Sequence, residues 1–143
     1  RGRLKGFLDA MKEADLIPVD EHIQCGDYSI DGGYEAMLRI WDTKKRPTAI
    51  FISNYDMTIG AYLAINYLNL KIPDDISVIG FDNFPLANVV NPPLSFAEQP
   101  TNEMGTEAGK LLYKRICGDY SDYPQTIMHK PTMYYKESIR KIN

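Results

Sequence analysis

Two short apolar runs, Ala49-Ile50-Phe51-Ile52 and Ile76-Ser77-Val78-Ile79-Gly80-Phe81, constrain this chain more than any other feature. Each is too short for a helix, rich in β-branched residues and preceded by a proline, Pro47 or Pro73. Each therefore reads as a strand buried on both faces. Between them the apolar residues keep a helical spacing, which predicts a helix over about 56–68. Asn69 follows where a helix end wants left-handed backbone, which Asn tolerates next after Gly. Strand, helix, strand is the crossover that joins parallel strands.

The flanking sequence repeats the alternation. Leu4, Phe7, Leu8 and Met11 fall at i, i+3, i+4 and i+7 and predict a first helix over about 3–14. His22-Ile23-Gln24-Cys25 reads as a short strand closed by Gly26-Asp27. Tyr34, Met37, Leu38 and Trp41 mark a second helix, with Ser29 or Asp31 as its cap. A short strand is expected at Leu94–Ala97 and a last one over about 126–136. The helix between them, about 102–116, should turn Met104, Ala108, Leu111 and Leu112 inward, and Lys110, Lys114 and Arg115 suit its C-terminal half before Gly118. The fold class that follows is α/β, a doubly wound, mainly parallel sheet flanked by helices.

Composition narrows the function classes. In 143 residues the hydrophobic fraction is 44% and the charged fraction 24%, enough for a folded core and against disorder. The net charge is −3, and the one basic triplet, Lys44-Lys45-Arg46, reads as a solvated turn, so this chain should not grip DNA by itself. No apolar run approaches the ~18 residues of a membrane span, and no signal-like stretch follows Arg1-Gly2-Arg3-Leu4. Cys25 and Cys117 form no C-x-x-C and are expected to be reduced and buried. His22 and His129 lack metal-ligand spacing, and Gly118–Pro124 reads as a solvated loop. No nucleophile elbow, phosphate loop or dinucleotide fingerprint is present, so no catalytic residue, metal or cofactor is expected.

Open α/β sheets bind ligands beyond the carboxyl ends of their strands. Here those ends carry Tyr28, Asn54 and Asp82. An aromatic ring offers a flat apolar face, an amide offers a donor and an acceptor, and a carboxylate accepts from two hydroxyls at once. Taken one at a time, each residue is an ordinary loop cap. At consecutive strand ends they are suited to a sugar or another polar ring.

Several of these residues also carry a resemblance. Arg3-Leu4-Lys5-Gly6-Phe7, Pro47-Thr48-Ala49-Ile50-Phe51 with Asn54, Met57 and Gly60-Ala61, the block Ile72-Pro73-Asp74-Asp75-Ile76-Ser77-Val78-Ile79-Gly80-Phe81-Asp82-Asn83, and Gln99-Pro100 with Met104-Gly105 together resemble the LacI/GalR family of transcription regulators. The block at 72–83 is the most specific of them. The resemblance implies a type I periplasmic-binding-protein-like fold with the effector held between two subdomains. Residues 1–99 and 124–137 would form the C-subdomain, and the helix at 100–118 would belong to the N-subdomain. It places Arg3, Tyr28, Asn54, Asp82 and Gln99 on the effector. Tyr55 departs from the family's Asn-Asp pair, which leaves Asp56 as the expected cap of the third helix.

The resemblance also implies parts outside this chain: a helix-turn-helix that reads operator DNA, most of the N-subdomain, and a central strand between 22–26 and 49–53. Met104, Ala108 and Leu111 would then lack their N-subdomain partner. In the third helix Met57, Ala61, Ala64 and Leu68 should face the sheet. Ile59, Tyr62, Leu63 and Asn66, with Phe84, Leu86, Val89 and Val90, make a second apolar surface. The expectation is a cytoplasmic homodimer through Ile59, Tyr62, Leu63, Leu86, Val89 and Val90, with a sugar or sugar phosphate as effector and no membrane partner. The alternatives are a periplasmic-type sugar-binding protein of a transporter and an enzyme on the same sheet.

Overall fold

The computed structural model describes residues 2–82 and 85–141, without the side chain of Leu86. Along the chain run helix α1 (Gly2–Glu13), α2 (Ile30–Trp41), strand β1 (Ala49–Phe51), α3 (Tyr55–Tyr67), β2 (Ser77–Phe81), β3 (Ser95–Glu98), α4 (Thr101–Ile116) and β4 (Thr132–Tyr134). The sheet has four strands in the order β1-β2-β3-β4. The first two pairings are parallel, with Phe51 opposite Ile79 and Phe81 opposite Ala97, and β4 is antiparallel to β3. The expected class, α/β with a mainly parallel open sheet, is the observed one.

The core lies between one face of this sheet and the pair α2–α3. Met37, Ile65, Ile76, Val78 and Leu94 are at most 2% exposed. Two glycines let the helices meet backbone to backbone. A Cβ on Gly60 would collide with the Ile30 carbonyl oxygen, and one on Gly33 with the backbone of Met57. Of the stripe expected to face the sheet, Ala61 and Ala64 are buried while Met57 and Leu68 are half-buried. Thr58 and Ile65 are buried as well. Asn69 closes the turn after α3 at φ 54°, in the left-handed region its position called for.

A buried serine ties the C-terminal segment to the sheet. Below the start of β3, the Val78 amide donates to the Ser138 carbonyl at 2.9 Å. The Ser138 hydroxyl donates to the Val78 carbonyl and accepts from the Ser95 amide, both at 2.7 Å. Ser138 thus satisfies backbone groups that would otherwise be buried unpaired, while its own hydroxyl is fully bonded.

Several expectations are corrected. No strand forms at 22–26: Asp20–His22 is a 3-10 turn and the chain continues without pairing. The His22 ring is engaged instead with the Lys45 carbonyl at 2.5 Å. A strand needs a ladder, and the described pairing of β1 is with β2 alone. That run of β1 is not buried on both faces, since Ala49 and Phe51 are exposed. The last strand is shorter than expected, and α4 turns Met104, Ala108 and Leu112 to the surface, leaving only Leu111 of that set half-buried. Cys25 and Cys117 are free but exposed, one on the unpaired loop and the other capping α4. Neither α1 nor α4 buries a residue.

Candidate functional site

The carboxyl ends of β1, β2 and β3 lie side by side because the three strands are parallel and adjacent. Beyond β1 the chain passes Ser53 to Asn54, which caps α3. Its side-chain carbonyl accepts from the Met57 amide at 3.0 Å, and its φ of −157° keeps the backbone extended. The cap is therefore Asn54 and not Asp56, which sits in the first turn. Capping uses the carbonyl half of the amide and leaves the NH2 half for other work. Tyr55 is half-buried against the core, which accounts for an aromatic residue at that step.

Beyond β2, Asp82 leaves the ladder at φ 77° while its amide still donates to the Ala97 carbonyl at 2.8 Å. Asp enters this region at lower cost than most residues because its short side chain bonds locally. Here the carboxylate oxygen Oδ1 accepts from Gln99 Nε2 at 2.6 Å, and Gln99 stands just past β3. Both side chains are half-buried.

Arg3 reaches this edge from α1. Its guanidinium donates to the Ser53 carbonyl, and its central carbon lies 3.7 Å from the centroid of the Phe81 ring. Stacking on the ring and bonding to the strand end hold the guanidinium plane in place. Phe81 is a site residue the sequence reading passed over, because inside a strand it looked like core. An aromatic at the last strand position beside a basic residue of another element was the available signal.

Tyr28 does not end a strand. It occupies the loop before α2 at φ 63° and is 64% exposed. Asp27 shapes this loop by accepting from the amide and hydroxyl of Ser29, which hold its carboxyl below the usual carboxylate range. The Ser29 hydroxyl in turn caps α2 by accepting from the Gly32 amide at 2.9 Å. Gly26, with Met57 against it, seats the loop on the first turn of α3. Arg3, Asp82, Gln99 and the Ser53–Asn54 corner are thus brought together. Tyr28 stands on the adjoining loop with its ring toward solvent.

The edge offers a fixed cation, a fixed carboxylate and two amides, with hydrophobic rings nearby. Groups of this kind can hold a polar ligand. Among the described residues no group of His, Cys, Asp and Glu is placed to hold a metal ion. No described helix is long and apolar enough to cross a membrane.

A family model described as a periplasmic binding protein-like domain matches residues 1–139. The chain belongs to that family. Its relatives are transcription regulators: over 138 residues it is 40% identical to the HTH-type transcriptional repressor PurR of Yersinia pestis, covering 96% of this chain and 40% of the relative. A LacI-family regulatory protein from Chloroflexus aggregans superposes with a TM-score of 0.83 at 33% identity, over 96% of this chain and 50% of that one. The transcriptional regulator CelR in complex with cellobiose superposes at 0.88 with 28% identity, over 95% and 41%. This periplasmic binding protein-like domain is thus of the LacI/GalR kind and corresponds to the C-terminal effector-binding region. It spans about two fifths of the length of the curated relatives it matches.

Proposed function

We propose that this domain senses a small polar effector, a sugar or sugar derivative, and passes its presence on to operator binding by the whole regulator. The observation that carries the proposal is the convergence of Arg3, Asp82 and Gln99 at the carboxyl edge of the sheet. In this reading the Arg3 guanidinium and the Asn54 NH2 donate to the effector, the free oxygen of Asp82 accepts from it, and Tyr28 stacks on it from the neighbouring loop. Cellobiose on the CelR relative favours a carbohydrate. Operator DNA is contacted by a helix-turn-helix outside these residues, in the cytoplasm, and the domain itself performs no catalysis.

The second surface supports self-association. Ile59, Tyr62, Leu63 and Val90 border a groove of about 140 Å³ on α3. Leu63 and Val89 are 50% and 78% exposed. A two-fold homodimer through Ile59, Tyr62, Leu63, Val89 and Val90 covers this surface and suits palindromic operators. Phe84 and the side chain of Leu86, also assigned to this surface, lie outside what the structure describes.

A thermal-shift panel of sugars, sugar phosphates and purines on the full-length protein tests the effector reading. A compound that binds only the folded state stabilises it by about 2.7 kcal/mol at one hundred times its dissociation constant. A shift with a purine and none with any sugar redirects the ligand class. No shift with any compound overturns the reading.

A further inference from the structure

We propose that Gln99 is the positioning residue of this sheet edge: its amide holds one oxygen of the Asp82 carboxylate and leaves the other as the acceptor a ligand meets. The inference deepens the effector-site reading and rests on it.

Asp82 needs such a partner. It stands where the β2–β3 ladder ends, with its amide as the last rung on the Ala97 carbonyl and its backbone turned out at φ 77°. Among the described residues the hydrogen-bond partner of the Asp82 carboxylate is Gln99. Gln99 Nε2 donates to Oδ1 at 2.6 Å across the two strand ends, and a hydrogen bond to an ionised acceptor is stronger than one between neutral groups. An amide suits the task because it donates without bringing charge, so Asp82 keeps its negative charge and its second oxygen. Gln99 is itself held at the entry to α4, where its carbonyl accepts from the Thr101 amide at 2.8 Å. Orientation at this edge thus depends on the junction between β3 and α4. Of the charged groups on the neighbouring elements, Arg3 of α1 lies on the Phe81 ring and Glu98 of β3 accepts from Tyr134.

A pinned carboxylate has less freedom to lose when a ligand arrives. Removing the pin should weaken binding about tenfold, which corresponds to ~1.4 kcal/mol.

The test uses full-length protein as wild type, Gln99→Leu and Gln99→Glu. In Gln99→Glu two carboxyls stand at hydrogen-bond distance and must share one proton, which raises one folded-state pKa above the ordinary value of about 4.3. That variant is most stable below the ordinary value and loses stability as pH rises through the folded value. Its melting temperature, taken relative to Gln99→Leu, should therefore fall between pH 5 and pH 8. A flat difference overturns the proposal, because it means that the two side chains do not hold each other.

Calorimetric binding of cellobiose, glucose 6-phosphate and guanine supplies the second readout. A probe that binds the wild type should bind Gln99→Leu about tenfold more weakly at both pH values. It should regain affinity in Gln99→Glu at pH 5, where the shared proton restores the bond. Undiminished binding by Gln99→Leu, with binding lost in Asp82→Ala, overturns the positioning role and leaves the effector site standing. Binding unchanged in Asp82→Ala overturns the effector-site reading, while the melting difference still decides whether Gln99 holds Asp82. If none of the three probes binds, the melting difference decides alone.

Discussion

Helices α1 and α2 have the same length, twelve residues, and each carries an apolar stripe, yet they end in opposite circumstances. The stripe of α2 is packed: Met37 is 2% exposed, and Tyr34, Leu38 and Trp41 close over the core. In the stripe of α1 no residue is fully buried: Phe7, Leu8 and Met11 are half-buried and Leu4 is 42% exposed. The same contrast separates α3 from α4. Amphipathic spacing says which face of a helix gains from burial, and the fold decides whether a partner is there. In this molecule the packed helices build the scaffold, and the unpacked side supplies Arg3 and the Gln99 junction to the carboxyl edge of the sheet.

The contrast is broken most directly by truncation on each side. Ile65, 1% exposed in α3, should lose about 2–5 kcal/mol of stability as Ile65→Ala through lost burial and the cavity left behind. Leu112, 62% exposed in α4, should change by no more than about 0.5 kcal/mol as Leu112→Ala. Urea unfolding of the full-length protein measures both. A large loss at Leu112 would show that α4 is packed in the whole protein, and the contrast would then belong to this domain alone.

At the candidate site the expected effects are smaller and fall on binding. Asp82→Ala removes a charged hydrogen-bond acceptor, a loss of roughly 1.5–3 kcal/mol, which is about tenfold to hundredfold in effector affinity. Operator binding without effector should be unchanged, and a gel-shift titration with and without the compound found in the thermal-shift panel reads both. Asn54→Ala sharpens the comparison because the residue belongs to both halves. Loss of the α3 cap should cost about 1 kcal/mol of stability, alongside weaker effector binding. If stability falls and binding does not, Asn54 serves only the helix.

Much of this was legible before the fold was known. Period and β-branching located β1, β2, α2 and α3, because each carries a strong local pattern and finds its partner. The strand expected at 22–25 failed for the converse reason: a β-prone tetrapeptide becomes a strand only beside a ladder. The exposed cysteines followed from the same loop and from the unpacked α4. At the sheet edge, Asp82 was marked by its place at a strand end and Arg3 and Gln99 by the family resemblance, but their arrangement was not. That Asn54 spends its carbonyl on the Met57 amide, and that Phe81 is the shelf for Arg3, depends on where two strand ends and a helix meet.

The smallest effect concerns the other surface of α3. The Tyr62 hydroxyl is buried and has no hydrogen-bond partner among the described residues, and burial pushes its phenol pKa well above the usual value. A buried hydroxyl without a partner is costly, so in an isolated subunit Tyr62→Phe should be neutral or stabilising. The homodimer proposed above puts a second copy against this groove, where a backbone or side-chain acceptor can take that hydrogen. Tyr62→Phe should then loosen the dimer by about 0.5–1.5 kcal/mol, a few-fold to tenfold in its dissociation constant. Sedimentation equilibrium on wild-type and variant full-length protein measures the difference. A dimer as tight or tighter in the variant would mean that the hydroxyl finds no partner across the interface, and that shape and apolar contact alone hold this surface.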